Sequence, residues 1–162
     1  MFQAFRRFKI TIAAVLLVGA AFIYLPGYYA LIYLPRKLGN ARVLASYEDF
    51  GGATIYVFEL EEIVSNRISK TGISYLQGDT KMRAYNNLFK GNPYSEWQRT
   101  PVSSDNYAKD AFFGNQGIKP ELLTQIRRGM NNASGYYIIT RNREGVILVL
   151  PNERLAAYLY YG

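Results

Sequence analysis

Hydrophobic and polar positions divide the chain into an apolar beginning and a mixed remainder. Residues 10–25 carry no charge, and the apolar character resumes after Pro26 and Gly27 and continues to Leu34. A helix of these 25 residues, rising about 1.5 Å per residue, is long enough to cross a hydrocarbon core of about 30 Å. The pattern therefore predicts one membrane-spanning helix, with a tyrosine-rich turn at its outer boundary.

Charged and aromatic residues flank the predicted span on both sides. Positive charge lies closer to the apolar run on the amino-terminal side, and such flanks tend to stay in the cytoplasm. We therefore expect a cytoplasmic amino terminus, with the rest of the chain outside the cytoplasm at the cell membrane. The residues expected at the membrane interface are Arg6, Arg7, Lys9, Tyr28, Tyr29, Arg36 and Lys37.

Two other interpretations of this segment stay open. Val18-Gly19-Ala20 offers a small-residue cleavage site, which is typical of a signal peptide that is removed after export. The segment also fits a buried helix of a soluble domain. The apolar run continues well past Ala20, and this length favours an uncleaved signal anchor.

On this interpretation the chain has three parts. Residues 1–34 form the membrane anchor, residues 35–40 a juxtamembrane linker rich in turn-forming residues, and residues 41–162 a soluble domain. A domain of this size can bury roughly two-thirds of its unfolded surface without disulfides or metals. We expect an α+β fold that is mostly helical, with a carboxyl-terminal β-hairpin and a closing helix.

Apolar residues at helical spacing predict the helices of this domain. Residues 53–69 show this spacing and end before Gly72, although their first half equally fits a strand because of its β-branched and aromatic content. Residues 80–90 follow a capping aspartate, and residues 120–128 begin with a proline that suits the first turn of a helix. Residues 107–113 are a shorter, fourth candidate.

The clearest local pattern lies near the carboxyl terminus. Residues 135–140 and 146–150 are apolar runs that flank a glycine-containing turn over residues 141–145, which predicts a β-hairpin. The second run is apolar at every position, so we expect both of its faces to be covered. Pro151 ends this strand, and residues 152–161 predict the closing helix.

Composition removes several classes of chemistry. The chain has no cysteine and no histidine, which excludes disulfides, thiolate nucleophiles, histidine-dependent triads and zinc–thiolate sites. The formal net charge is +7, but no helix presents a basic stripe and no phosphate-binding loop or calcium loop occurs, so we expect no nucleic-acid partner. We also expect no cofactor and no metal.

Carboxylates are the remaining candidates for catalysis. Glu59, Glu61 and Glu62 lie within four residues of one another, and Glu96 lies beside Trp97. Two carboxylates at a suitable separation, one with a raised pKa, can hydrolyse a glycosidic bond. The alternative is a solvated acidic helix face opposite the apolar stripe, which the spacing favours.

Aromatic residues are unusually frequent, with 15 tyrosines in the chain. Tyrosine combines a flat apolar face with a polar tip, which suits protein interfaces and glycan stacking alike. Loops on a rigid scaffold often carry function, so the hairpin tip and the irregular region of residues 92–110 are the favoured surfaces. The predicted partner-binding residues are Tyr94, Trp97, Tyr107, Arg141 and Arg143.

Three functional hypotheses follow. The leading one is a single-pass membrane-anchored protein without enzymatic activity, with the lipid bilayer and a protein as partners. Its extracytoplasmic domain binds or scaffolds a component of a cell-envelope assembly, such as secretion, pilus or cell-wall machinery. One alternative is a membrane-anchored or secreted glycan-active enzyme with paired carboxylates. The other is a cytoplasm-facing regulatory or immunity-type membrane protein whose helix makes the interaction.

Overall fold

Six antiparallel strands form one sheet in the order β1-β2-β6-β5-β4-β3. A computed structural model describes residues 30–49, 52–83, 94–103, 117–141 and 143–160. The strands are β1 (Arg42–Glu48), β2 (Thr54–Glu59), β3 (Gln98–Arg99), β4 (Tyr136–Ile139), β5 (Gly145–Leu150) and β6 (Leu155–Tyr160).

Helices cover both faces of this sheet. They are α1 (Glu62–Thr71), α2 (Ile73–Leu76) and α3 (Pro120–Asn131), with short 3₁₀ helices at Arg36–Leu38 and Pro151–Glu153. Helices α1 and α2 pack with residues 30–41 on the first face, and α3 packs on the second. The prediction of a helix beginning at Pro120 is confirmed.

The core has two halves because successive side chains of a strand point to opposite faces. In β5, Ile147 and Val149 belong to the hydrophobic cluster of the first face, while Val146, Leu148 and Leu150 belong to that of the second. All six residues of β5 are buried. This explains the uninterrupted apolar run and confirms the expectation that both faces of this strand are covered.

The predicted hairpin is also confirmed. Strands β4 and β5 pair antiparallel, with Ile139 opposite Val146 and Tyr136 opposite Val149. The turn between them is fixed by a short backbone hydrogen bond from Thr140 N to Gly145 O at 2.9 Å.

The prediction of a mostly helical domain was wrong, because the molecule is built on a six-stranded sheet with few helices. Residues 152–161, expected as a closing helix, instead contain β6, which pairs with β2 on one side and β5 on the other. Leucine and alanine favour a helix locally. A central strand here buries side chains on both faces, and its backbone N–H and C=O groups pair with neighbouring strands on both sides.

The predicted helix over residues 53–69 also needs correction. Its first half is β2, which lies between β1 and β6 in the sheet, and α1 begins only at Glu62. Leu60 and Glu61 separate the two elements. The strand alternative for the first half was therefore correct, and the apparent helical spacing across the junction was a coincidence of two patterns.

The predicted membrane-spanning helix is not supported either. No helix among the described residues is long and apolar enough to cross a membrane, which conflicts with a single-pass protein and a signal anchor. Residues 10–29 of the predicted span lie outside the described residues. Its last residues pack into the domain instead: Ala30 and Leu34 are fully buried.

Residues 30–41 are part of the packed domain. Tyr33 stacks on Tyr158 of β6 with ring centroids 4.5 Å apart, and the backbone N–H of Lys37 donates to Asp79 Oδ2 at 2.6 Å. Leu38 is fully buried in the first cluster. The region expected to be a linker between anchor and domain is therefore held by aromatic, apolar and polar contacts.

Most residues of the two remaining predicted helices lie outside the part of the chain that the structure describes. Residues 84–90 and 107–113 lie outside the described residues. Residues 80–83 are described and are not helical; Met82 forms an antiparallel bridge with Pro35.

Candidate functional site

The turn of the β4–β5 hairpin carries two exposed arginines on a tightly bonded backbone. Thr140 Oγ1 accepts a hydrogen bond from Gly145 N at 2.7 Å, and Arg143 N donates to Thr140 O at 2.9 Å. Arg143 has a positive φ of 64°, which L-residues adopt only where the surrounding structure requires it. These bonds place the described turn residues Arg141 and Arg143 at one end of the sheet.

A second segment runs antiparallel along β4 and closes this end of the sheet. Ser95 N donates to Ile139 O at 2.8 Å, and Gln98 pairs with Tyr137 where β3 begins. Farther along, Thr100 N donates to Gly135 O at 3.1 Å. These bonds bring residues 94–100 beside the hairpin, although the bonded residues are 35 or more positions apart in the sequence.

Two depressions meet at this junction, and both include Ser95 and Arg141. The first, here called the arginine cleft, has a volume of about 420 Å³. It is lined by Ser95, Gln98, Ser103, Ile139, Thr140, Arg141 and Arg143. The second, here called the aromatic cleft, has a volume of about 650 Å³ and is lined by Gln77, Gly78, Thr80, Tyr94, Ser95, Glu96, Trp97 and Arg141. Both volumes fall in the range of about 300–1,000 Å³ that is typical of ligand sites.

The arginine cleft is rich in hydrogen-bond donors. Gln98 Oε1 accepts from the hydroxyl of Tyr137 at 2.6 Å, and this bond leaves the amide nitrogen of Gln98 as its available donor. Arg141 makes no hydrogen bond or ion pair with a residue in the described part of the chain. No acidic residue is among the described residues that line the cleft. The cleft is therefore suited to a negatively charged or acceptor-rich group.

Two predicted partner-binding aromatics are not surface residues. Tyr94 and Trp97 are only 1% and 5% exposed, and both belong to the cluster of the first face. The hydroxyl of Tyr94 donates to Tyr33 O at 2.5 Å, and Trp97 Nε1 donates to Asp79 O at 2.9 Å. They anchor residues 94–97 to the domain and thereby form a wall of the aromatic cleft. Tyr107 lies outside the described residues.

Burial also sets the protonation of this wall. The pKa of Tyr94 is raised well above its usual value, chiefly because its burial disfavours the phenolate. Its hydroxyl therefore stays protonated and remains a hydrogen-bond donor at all ordinary pH values. A role for Tyr94 as an acid or base is correspondingly disfavoured.

The candidate catalytic carboxylates are divided between two regions of the surface. Glu59 pairs with Arg42 at 2.5 Å and with Arg154 at 3.6 Å, and Glu62 approaches Arg154 at 3.9 Å with a side chain that is 72% exposed. Glu96 is exposed and lines the aromatic cleft, which includes neither Glu59 nor Glu62. Glu59 and Glu62 therefore share the cationic partner Arg154, and Glu96 is the one carboxylate among the described residues that line the aromatic cleft.

The described residues offer no metal site in place of paired carboxylates. Across the described ranges, no group of three or more Asp or Glu side chains lies close enough to hold a metal ion. Glu61 is exposed at the start of α1, like its neighbour Glu62. The acidic cluster that the sequence singled out is thus a solvated surface.

The two predicted interface residues in the described part of the chain have different environments. Arg36 is exposed, whereas Lys37 is half-buried. Lys37 Nζ donates to Tyr75 O at 2.8 Å and to Gln77 O at 2.9 Å. Lys37 therefore ties residues 35–38 to the end of α2 and to the residue that follows it. Arg6, Arg7, Lys9, Tyr28 and Tyr29 lie outside the described residues.

A third depression follows the exposed side of α1. It is lined by Glu62, Ile63, Asn66, Arg67, Lys70 and Thr71, and Ile63 is 65% exposed. Charges of both signs alternate with small polar groups along this helix. The residues that line this depression therefore do not favour any one class of ligand.

Comparisons with protein-family models, with curated proteins and with solved structures found no match for this chain. The function must therefore be argued from the site itself.

Part of the arginine cleft was missed by reasoning from the sequence. Arg141 and Arg143 were singled out because they lie at the hairpin tip. Ser95, Gln98 and Ser103 carry no motif, and they join the site only because residues 94–100 pair with β4. No local signal in the sequence reports that pairing.

Proposed function

We propose that this chain is a binding module for a protein partner, without enzymatic activity, and that the arginine cleft is the surface it uses. The observation that carries this proposal is the convergence of Arg141, Gln98 and Ser95 on one open cleft at the end of the sheet. These groups come from two segments held together by backbone hydrogen bonds. A prearranged polar cleft loses little conformational entropy when a ligand binds.

The chemistry of the surface supports binding over catalysis. Arginine is enriched at protein interfaces and is among the residues that most often contribute large binding energies. The glycan-active alternative needs two carboxylates facing each other across a cleft, about 5–10 Å apart. Glu59 and Glu62 instead share one cation, the guanidinium of Arg154, at 3.6 and 3.9 Å, and Glu96 lines a different depression.

Site-specific photo-crosslinking tests this proposal in cells that naturally make the protein. A photoreactive residue replaces Glu96, which is exposed beside Ser95 at the junction of the two clefts. The matched control replaces Lys70, which is exposed on α1. We expect one discrete protein adduct from position 96 and none from position 70. Adducts of equal yield from both positions, or none from either, would contradict the proposal.

We further propose that the domain acts outside the cytoplasm, on a component of a cell-envelope assembly. This part rests on the sequence alone, because the basic residues before the apolar run of residues 10–25 lie closer to it than those that follow it. A carboxyl-terminal reporter that is active only outside the cytoplasm is expected to be active. An inactive reporter, with an active cytoplasmic one in its place, would favour the regulatory interpretation.

A further inference from the structure

We infer that β1 pairs antiparallel with β1 of a second copy of this chain, so that the two sheets join into one across a two-fold axis at Ser46. The partner at this edge is therefore the same chain, and not a peptide or a different protein. The interface is separate from the arginine cleft, because no residue of β1 is among the described residues that line that cleft.

Strand β1 is a long strand at the edge of the sheet. In the strand order that the structure describes, β1 comes first and has β2 as its neighbour. It has seven residues, whereas β3 at the opposite edge has two. An edge strand presents a row of backbone N–H and C=O groups that can pair with another strand. The exposed side chains of β1 are those of Arg42, Leu44, Ser46 and Glu48.

The middle of β1 is suited to pairing with a further strand. Natural proteins often place charges or proline on edge strands to oppose such pairing. Residues 43–47 contain neither, and Leu44 among them is 38% exposed. The register with β2 shifts between Val43 and Ala45, so a bulge lies near the start of the strand. Beyond it, β1 pairs with β2 without interruption as far as Glu48.

A two-fold axis at Ser46 makes the two ends of β1 complementary in charge. The strands then run in opposite directions, with Ala45 of one copy opposite Tyr47 of the other. When the bulged residue is not counted, as in the pairing with β2, Arg42 lies opposite Asp49 of the second copy. Opposite charges directly across an antiparallel pair stabilise it, and the two-fold axis forms this pair twice.

Both charged side chains lie on the same face of the sheet. Tyr47 packs against the second cluster, and its hydroxyl donates to Asp49 Oδ2 at 3.2 Å. Arg42 lies opposite Glu59, two residues after Val57 of the same cluster. The Arg42 side chain is 74% exposed, so the guanidinium stays accessible to a second copy while it is paired with Glu59.

Disulfide trapping with the full-length chain tests this inference. The chain has no cysteine, so an introduced cysteine reports only on its own position. Ser46→Cys places two thiols on directly opposite residues of neighbouring strands, a separation that a disulfide can span. Glu48→Cys is the control on the same strand, because its two copies lie four positions, or roughly 13 Å, apart along the strand. Ser69→Cys, exposed on α1, is the control on another element.

Under mild oxidation we expect Ser46→Cys to give at least about tenfold more disulfide-linked dimer than either control, because a disulfide needs Cα atoms within about 7 Å of each other. Thermal unfolding of reduced Ser46→Cys should match the parent, since Ser46 is exposed.

A charge reversal then tests the register. In the Ser46→Cys background, Arg42→Glu should lower the dimer yield about two- to tenfold, because it turns both charge pairs of the interface into repulsions. Arg154→Glu is the matched control, since it also removes an ion pair with Glu59 but does not lie on β1. We expect it to change the yield less than about twofold.

Three outcomes would overturn the inference: no disulfide-linked dimer from Ser46→Cys, equal yields from position 46 and either control position, or an equal loss in both charge variants. A strand of a different protein at this edge would give the first of these, because position 46 would then face no second thiol. The arginine cleft is tested separately, by the crosslink from position 96.

Discussion

Replacing Gly129 with alanine tests how α3 packs on the sheet. Gly129 is a buried residue inside α3, and a β-carbon there would lie 2.3, 2.6 and 2.9 Å from Cδ2, Cδ1 and Cγ of Leu150. Two effects of opposite sign compete. Alanine is more favourable than glycine in a helix by about 1 kcal/mol, whereas overpacking a filled core costs about 1–3 kcal/mol.

The geometry around Leu150 decides which effect dominates. All three outer carbons of this side chain conflict with the new β-carbon, so rotation about the Cβ–Cγ bond exchanges one clash for another. Leu150 is only 1% exposed and closes the second cluster at the end of β5. We therefore expect Gly129→Ala to lower the free energy of unfolding by about 1–2 kcal/mol.

Urea unfolding of the full-length chain, followed by circular dichroism, measures this change. Thr124→Ala is the matched control, because Thr124 is exposed on the same helix and its replacement should raise stability by about 0.5 kcal/mol. Leu150→Ala alone should cost about 2–5 kcal/mol. In that background the clash is gone, so Gly129→Ala should become stabilising by up to about 1 kcal/mol.

The reversal of sign is the decisive feature of this double-mutant cycle. If Gly129→Ala alone raises stability, or if its effect is the same in both backgrounds, then α3 does not pack against Leu150 as described.

Three further predictions concern the tyrosines, a buried hydroxyl and the acidic surface. Burial raises the pKa of Tyr94 and Tyr158, so their contribution to the free energy of unfolding is full below the unfolded tyrosine pKa of about 10 and is lost as pH rises above it. An ultraviolet titration of tyrosinate, recorded alongside unfolding, should show both changes together. Early titration of all tyrosines in the folded state would contradict this. Thr100 Oγ1 accepts a hydrogen bond from Gly135 N at 2.9 Å in a buried site, so Thr100→Val should lower the unfolding free energy by about 1–3 kcal/mol; an unchanged urea midpoint would refute this. Glu59→Gln should change the free energy of unfolding by less than about 1 kcal/mol, because the ion pairs of Glu59 are partly exposed. The same variant should leave the crosslink from position 96 intact. Loss of that crosslink would favour carboxylate chemistry.

Elements whose contacts are local were predictable from the sequence. The hairpin over β4 and β5 is specified by two apolar runs around a short turn, and α3 by its first-turn proline and its apolar stripe. In both cases the residues that determine the structure are neighbours in the chain. Propensity and tertiary packing agree there, so the pattern was sufficient.

Elements whose partners are distant were not predictable in this way. Strand β6 pairs with β2, about 100 residues earlier, and its Ala156 and Ala157 lie back to back in the two clusters. A central strand that is apolar on both faces gives a short continuous apolar run in the sequence. The periodicity of apolar residues alone does not distinguish such a run from a short buried helix. Pairing with distant strands decides between strand and helix here, and no local pattern in the sequence indicates that pairing.

The candidate site divides along the same line. Arg141 was identified because a turn residue is exposed by local geometry. Tyr94 and Trp97 were expected at the surface because their region lacks regular spacing, yet their polar atoms find carbonyl partners and their rings fill the first cluster. Gln98 entered the site only through its register opposite Tyr137.

The most direct test of the account is the crosslink from position 96 in three backgrounds: the parent chain, Arg141→Glu and Arg36→Glu. Both variants reverse one exposed positive charge, but only Arg141 lines the cleft. The account predicts that Arg141→Glu abolishes the adduct, while Arg36→Glu leaves its yield unchanged. An adduct that survives Arg141→Glu, or that is lost equally in both variants, would contradict the claim that this cleft binds the partner.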